Sequence, residues 1–180
     1  MTPNELKTHK KHKKVLDSLP SFNALSKRGS KLPRPLDGLG RRKDVYVSGL
    51  IEVSDSHAVF FLYRDGQILT DRAFFGYLFC VLQNKSLNTL YEFHWHPSHK
   101  GIHCKLQCNT SLNYTGRLLV QAPELQLAPP SELDPAKEAD RVKLVQMFCA
   151  KCGIHLNLPK AQDQDQASEQ GDLFNELDHQ

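Results

Sequence analysis

A chain of 180 residues and 20.5 kDa has room for one ordinary domain with tails, which excludes a multidomain machine. Apolar residues make up 39% and charged residues 24%, enough for a real core, so neither a disordered chain nor a disulfide-stapled miniprotein is expected. No apolar run approaches the roughly 18 residues that cross a bilayer, and the polar, basic stretch 1–14 predicts no secretory signal.

The net charge of +3 hides a split. Residues 1–43 carry twelve Lys or Arg against Glu5, Asp17 and Asp37, residues 44–160 balance to zero, and residues 161–180 carry six acids with no Lys or Arg. The chain therefore divides into a basic helical arm and linker (1–43), a single α+β domain (44–160) and an acidic, flexible tail (161–180). A basic arm of this density suits RNA or another nucleic acid, bound in a salt-sensitive way. It equally suits a solvated surface, or a contact with the acidic tail.

In chain order, Asn4–Leu19 predicts a helix ended by Pro20, with Leu6, Val15, Leu16 and Leu19 as its few apolar residues. Residues 20–43 mix Gly, Pro and charges, which reads as a linker or wrapping loop closed by Arg41, Arg42 and Lys43. From Val45 to Val53 the apolar residues alternate as in a strand. Ser54–Ser56 predicts a turn and His57–Tyr63 a second strand; Arg64-Asp65-Gly66-Gln67 predicts a tight hairpin turn with a positive φ. Ala73–Leu82 is apolar on both faces and predicts a central, covered strand. Gln83–Thr89 is a polar connection, and Leu90–His96 and Gly101–Gln107 are two further strands. A last helix starts near Pro135, presents Val142, Val145, Phe148 and Cys149, and stops at Gly153 near Cys152. The sum is an α+β fold: an antiparallel β-sheet of about five strands covered by N- and C-terminal helices.

The densest chemistry lies in residues 90–106. Tyr91, Phe93 and Trp95 alternate with Glu92, His94 and His96, so three aromatics face one way and three ionisable groups the other. If His96 pairs with Gly101 across the hairpin, His94 meets His103, Glu92 meets Lys105 and Phe93 meets Cys104. Such a face suits two chemistries. His94, His96 and His103 could hold a zinc ion that activates water. Alternatively, two histidines could share general acid and base work on a phosphodiester, with Lys105 or Lys100 opposing the developing charge. His99 and Lys100 sit at the rim, and Arg117 follows as a candidate phosphate clamp. His57 opens the second strand, and nothing beside it decides whether it joins this face. A row of histidines is also compatible with a ligand- or partner-binding surface that does no chemistry.

Five cysteines in a chain without an export signal point to the cytoplasm and to free or metal-bound thiols. Cys149-x-x-Cys152, with the looser pair Cys104 and Cys108, could form a structural zinc site. The same cysteines read equally well as small core residues, and less well as a redox pair at a helix end. Gly-rich phosphate loops and serine-hydrolase motifs do not occur. The leading expectation is a small phosphodiester hydrolase or RNase-like nuclease working through the histidine hairpin by general acid/base or metal-assisted cleavage, with zinc as the candidate cofactor. The rival is a non-enzymatic nucleic-acid- or protein-binding module with structural zinc, and a third is a toxin or effector held by an acidic partner.

Overall fold

The structure, a computed structural model, describes residues 3–25, 32, 44–96, 101–106, 118–119 and 133–158. Among the described residues no helix is long and apolar enough to cross a membrane. The order is α1 (Pro3–Lys11), β1 (Lys14–Leu16), β2 (Asn23–Ala24), β3 (Val45–Ser54), β4 (His57–Arg64), β5 (Ala73–Val81), β6 (Leu87–His96), β7 (Gly101–Leu106), β8 (Leu118–Leu119), α2 (Glu138–Cys152) and β9 (Ile154–Leu156). For β7 and β8 the backbone path and register are described.

The strands β2 to β8 form one antiparallel meander in sequence order, with five long strands between two short edge strands. The expected α+β architecture, a sheet of about five long strands flanked by an N-terminal and a C-terminal helix, is the one observed. Period-two alternation explains it. In β5, Phe74 and Leu78 go to the face beneath α2, while Phe75, Tyr77 and Phe79 go to the other. β5 is central and covered, as its two apolar faces require, with Ala73, Phe74, Leu78 and Phe79 at most 2% exposed.

The helix-covered core joins Phe61, Phe74, Tyr91, Phe93 and Trp95 of the sheet to Leu144, Val145, Phe148, Cys149 and Cys152 of α2. Phe148 is its hub. The ring lies 5.0 Å from Phe61, 5.9 Å from Tyr91 and 6.3 Å from Phe93. Gly76 makes that seat: a Cβ there would come within 2.7 Å of Phe148 Cδ2. Gly153 ends α2 in the left-handed region at φ 63°, as its place after Cys152 predicts, and its N–H donates to the Cys149 carbonyl. α2 begins at Glu138, after rather than at Pro135, which is itself buried.

Two local expectations fail. The predicted helix 4–19 stops at Lys11, and Lys14–Leu16 instead forms β1, which pairs in parallel with β9. Leu16 is thereby buried in the helix-side core. The predicted tight turn at Asp65-Gly66 is a longer loop through a 3-10 turn at Leu69–Asp71, and Gly66 does not take a positive φ. Arginines organise this loop: Arg64 Nε donates to the Asp71 carbonyl and Arg72 Nε to the Gly66 carbonyl at 2.9 Å.

Candidate functional site

Beta-strands β6 and β7 pair in the register that the alternation predicts: His96 with Gly101, His94 with His103, Phe93 with Cys104 and Glu92 with Lys105. Tyr91, Phe93 and Trp95 are buried against α2, and Glu92, His94 and His96 stand half-buried on the other face. His94 Nε2 lies 3.3 Å from Glu92 Oε2, an ion pair when the imidazole is protonated. Of His103, Lys105 and Cys104 the backbone positions are described. Lys100, His99, Arg117, Arg41, Arg42, Lys43 and Cys108 lie outside the described residues.

The neighbour the hairpin reading lacks is β5. Phe75 pairs with His94, and Tyr77 with Glu92. The Phe75 ring meets both His94 and His96 edge-on, at 5.0 Å each, and the two imidazoles are 6.0 Å apart. Tyr77 lies 6.0 Å from His94 and stacks on Phe79 at 6.0 Å. Burial first, and Glu92 second, push the Tyr77 phenol above its usual pKa, so it stays protonated. The face is thus an aromatic-imidazole sheet surface, continuous with a second apolar cluster of Val45, Phe60, Leu62, Tyr77 and Phe79. Leu25 and Leu32, from the basic first part of the chain, pack against that cluster. The signal for Phe75 was available in the alternation of β5, but the pairing of β5 with β6 was needed to place it.

His57 does not join this face. It pairs with Cys80, at the far end of β5 from Phe75. There it meets α1: His57 Nε2 is 2.9 Å from His9 Nδ1, and the His12 ring is 4.9 Å from the His57 ring. On its other side, His57 Nδ1 is 2.9 Å from Ser54 Oγ and 3.1 Å from Ser56 Oγ. Lys14, 1% exposed, sends its ammonium to the carbonyls of His9 at 2.6 Å, His12 at 2.7 Å and Lys10 at 3.3 Å. It caps the end of α1, whose last carbonyls have no partner within the helix. Burial pushes the Lys14 amine below its usual pKa, with the Cys152 thiol acting the other way. No local pattern announces this second cluster, because its members come from segments about 50 residues apart in sequence.

The zinc reading is corrected. Among the described residues no group of three or more His, Cys, Asp or Glu side chains is arranged to hold a metal ion. Cys149 and Cys152 are each 2% exposed, packed with Phe148 and Val145 as core residues. Burial raises the Cys149 thiol to about 12, whereas a zinc ligand must give up its proton. A four-cysteine site with Cys104 and Cys108, and the metal-binding role of Cys149 and Cys152, are therefore withdrawn. The zinc-dependent hydrolase and nuclease reading goes with them. Comparison of the chain with protein-family models, curated proteins and solved structures finds no match.

A separate crevice of about 210 Å³ opens beside the start of α2, lined by Leu19, Phe22, Tyr63, Glu138, Arg141 and Val145. Arg141 is already engaged there. Its Nη1 donates to the carbonyls of Pro135 at 2.9 Å and Ala136 at 2.7 Å, and its guanidinium sits 4.5 Å above the Tyr63 ring.

Proposed function

We propose that this protein is a non-enzymatic module that binds single-stranded RNA on the Phe75, His94 and His96 face of its sheet, in the cytoplasm. One observation carries the reading: Leu25 and Leu32, from the basic first part of the chain, pack against the cluster on the same face as the rings. Between those two leucines the sequence places Lys27, Arg28 and Lys31. Planar rings on a sheet suit unstacked bases, and a neighbouring basic stretch of sequence suits their phosphates, whereas the bases of a duplex are already paired and stacked. Edge-on contacts among Phe75, His94 and His96 fit a stacking surface better than a pair of proton carriers. Cysteines 80, 149 and 152 are all free thiols, in keeping with a reducing compartment.

The test is fluorescence anisotropy with a labelled single-stranded RNA and the matching duplex, at several salt concentrations. Binding should favour the single strand, and Phe75→Ala should weaken it by about 1–3 kcal/mol, the worth of one stacked base. Replacing Lys27, Arg28 and Lys31 with Gln should flatten the salt dependence by about 0.7 in slope per lost phosphate contact. Equal affinity for duplex and single strand, unmoved by Phe75→Ala, would sink the reading.

A further inference from the structure

We propose that α1 is an acid-released clasp: the uncharged His9–His57 pair holds it against the end of the sheet, and protonation of the pair lets it go.

Among the described side chains of α1, Asn4, Glu5, Lys7, Thr8, Lys10 and Lys11 are exposed, and His9 alone is half-buried. A nine-residue helix is marginal by itself in water, so it persists here because it is docked. His9 Nδ1 and His57 Nε2, 2.9 Å apart, make a hydrogen bond that needs an N–H on one ring and a lone pair on the other. Two protonated rings offer two donors and no acceptor, and the bond is gone.

The surroundings set the direction. His57 is 1% exposed. The groups facing it are His9 from α1, His12 just after it, Lys14 from β1, the hydroxyls of Ser54 and Ser56 at the β3–β4 turn, and its strand partner Cys80. The charged groups that act on it, Lys14, His9 and His12, are all cations or become so. Glu5 favours a charge on His9, but more weakly than Lys14 and His12 oppose it. Burial, then these cations, lower His57 from 6.5 to about 4, and burial with the same neighbours lowers His9. The docked form thus keeps the pair neutral, while an undocked α1 leaves both rings free to titrate normally. Between about pH 6.5 and 4 the undocked form binds more protons, so docking is complete above 6.5 and weakens as pH falls toward 4. Release also parts Lys14 from the carbonyls of His9, Lys10 and His12, while the pairing of Leu16 with β9 stays in the body.

Hydrogen–deuterium exchange of the full chain, read by mass spectrometry from pH 7.5 to 4.5 and corrected for intrinsic exchange rates, tests this. Protection of the α1 amides should fall tenfold or more across the range, while β4 and β5 keep theirs. His57→Gln, which offers an uncharged hydrogen-bonding group, should flatten the α1 response; His9→Gln should do the same from the helix side if the buried variant folds poorly. Protection of α1 that ignores pH, or that is lost together with that of β4, would overturn the proposal. RNA is absent from this experiment, so the clasp and the RNA-binding reading can fail separately.

Discussion

The two histidine groups of this protein make opposite use of the same side chain. His94 and His96 are two residues apart on one strand, half-buried, beside a carboxylate and an aromatic ring. His9 and His57 come from different segments and meet where His57 is buried and His9 half-buried, with Lys14 and His12 beside them. The first arrangement sets its imidazoles on a half-buried sheet face against Glu92 and Phe75. The second makes its neutral form part of the structure. What separates them is the sign of the neighbouring charge and the access of water, so a histidine's role follows from its surroundings more than from how many lie nearby.

Four substitutions or conditions sharpen or break that contrast, and the largest effect belongs to the buried group. Lys14→Met removes the donor to three carbonyls and should cost roughly 4 kcal/mol, a fall of about 10 °C in Tm for a chain of this size. A loss under about 1 kcal/mol in thermal denaturation would show that the ammonium is dispensable there. Next comes pH. The lowered His57 pKa should withdraw up to about 3 kcal/mol between pH 7 and 4, capped by the docking energy of α1, and His57→Gln should remove that dependence in urea titrations. Gly153→Ala puts a side chain at φ 63° and a Cβ 2.8 Å from the Lys10 carbonyl. It should cost about 1–2 kcal/mol, with α1 exchange rising before that of β4. Smallest is His94→Ala, expected below about 1 kcal/mol in thermal denaturation on a half-buried sheet face. A strong stability loss in that variant would erase the distinction between the two groups.

The pattern of which features were legible follows the range over which each is decided. The β6–β7 hairpin could be read because alternation from Tyr91 to His96, and the short span to Gly101, fix both faces and register locally. α2 could be read from its apolar spacing and from Gly153, although Leu144 also belongs to its buried face. β1 could not, because three residues become a strand only when β9 is beside them. The Asp65-Gly66 turn misled because Arg64 and Arg72 hold a longer loop from outside the dipeptide. Cys149 and Cys152 misled because a spacing of three serves a metal knuckle and one face of a helix equally well. His57 and Phe75 needed strand neighbours that no local window contains.

The parallel pair β1–β9 carries a consequence for how the protein is made. Asn157 reaches back to Asp17 across 140 residues of chain, beside the strand pairing of Leu16 with Leu156. At a synthesis rate of about 5–20 residues per second, on the order of ten seconds separate the appearance of the two strands. Over that interval the β3–β6 meander has every partner it needs, joined by nearest neighbours in sequence, while β1 has none. The strand pairing of Leu16 with Leu156 therefore forms only after the meander, once β9 has been made.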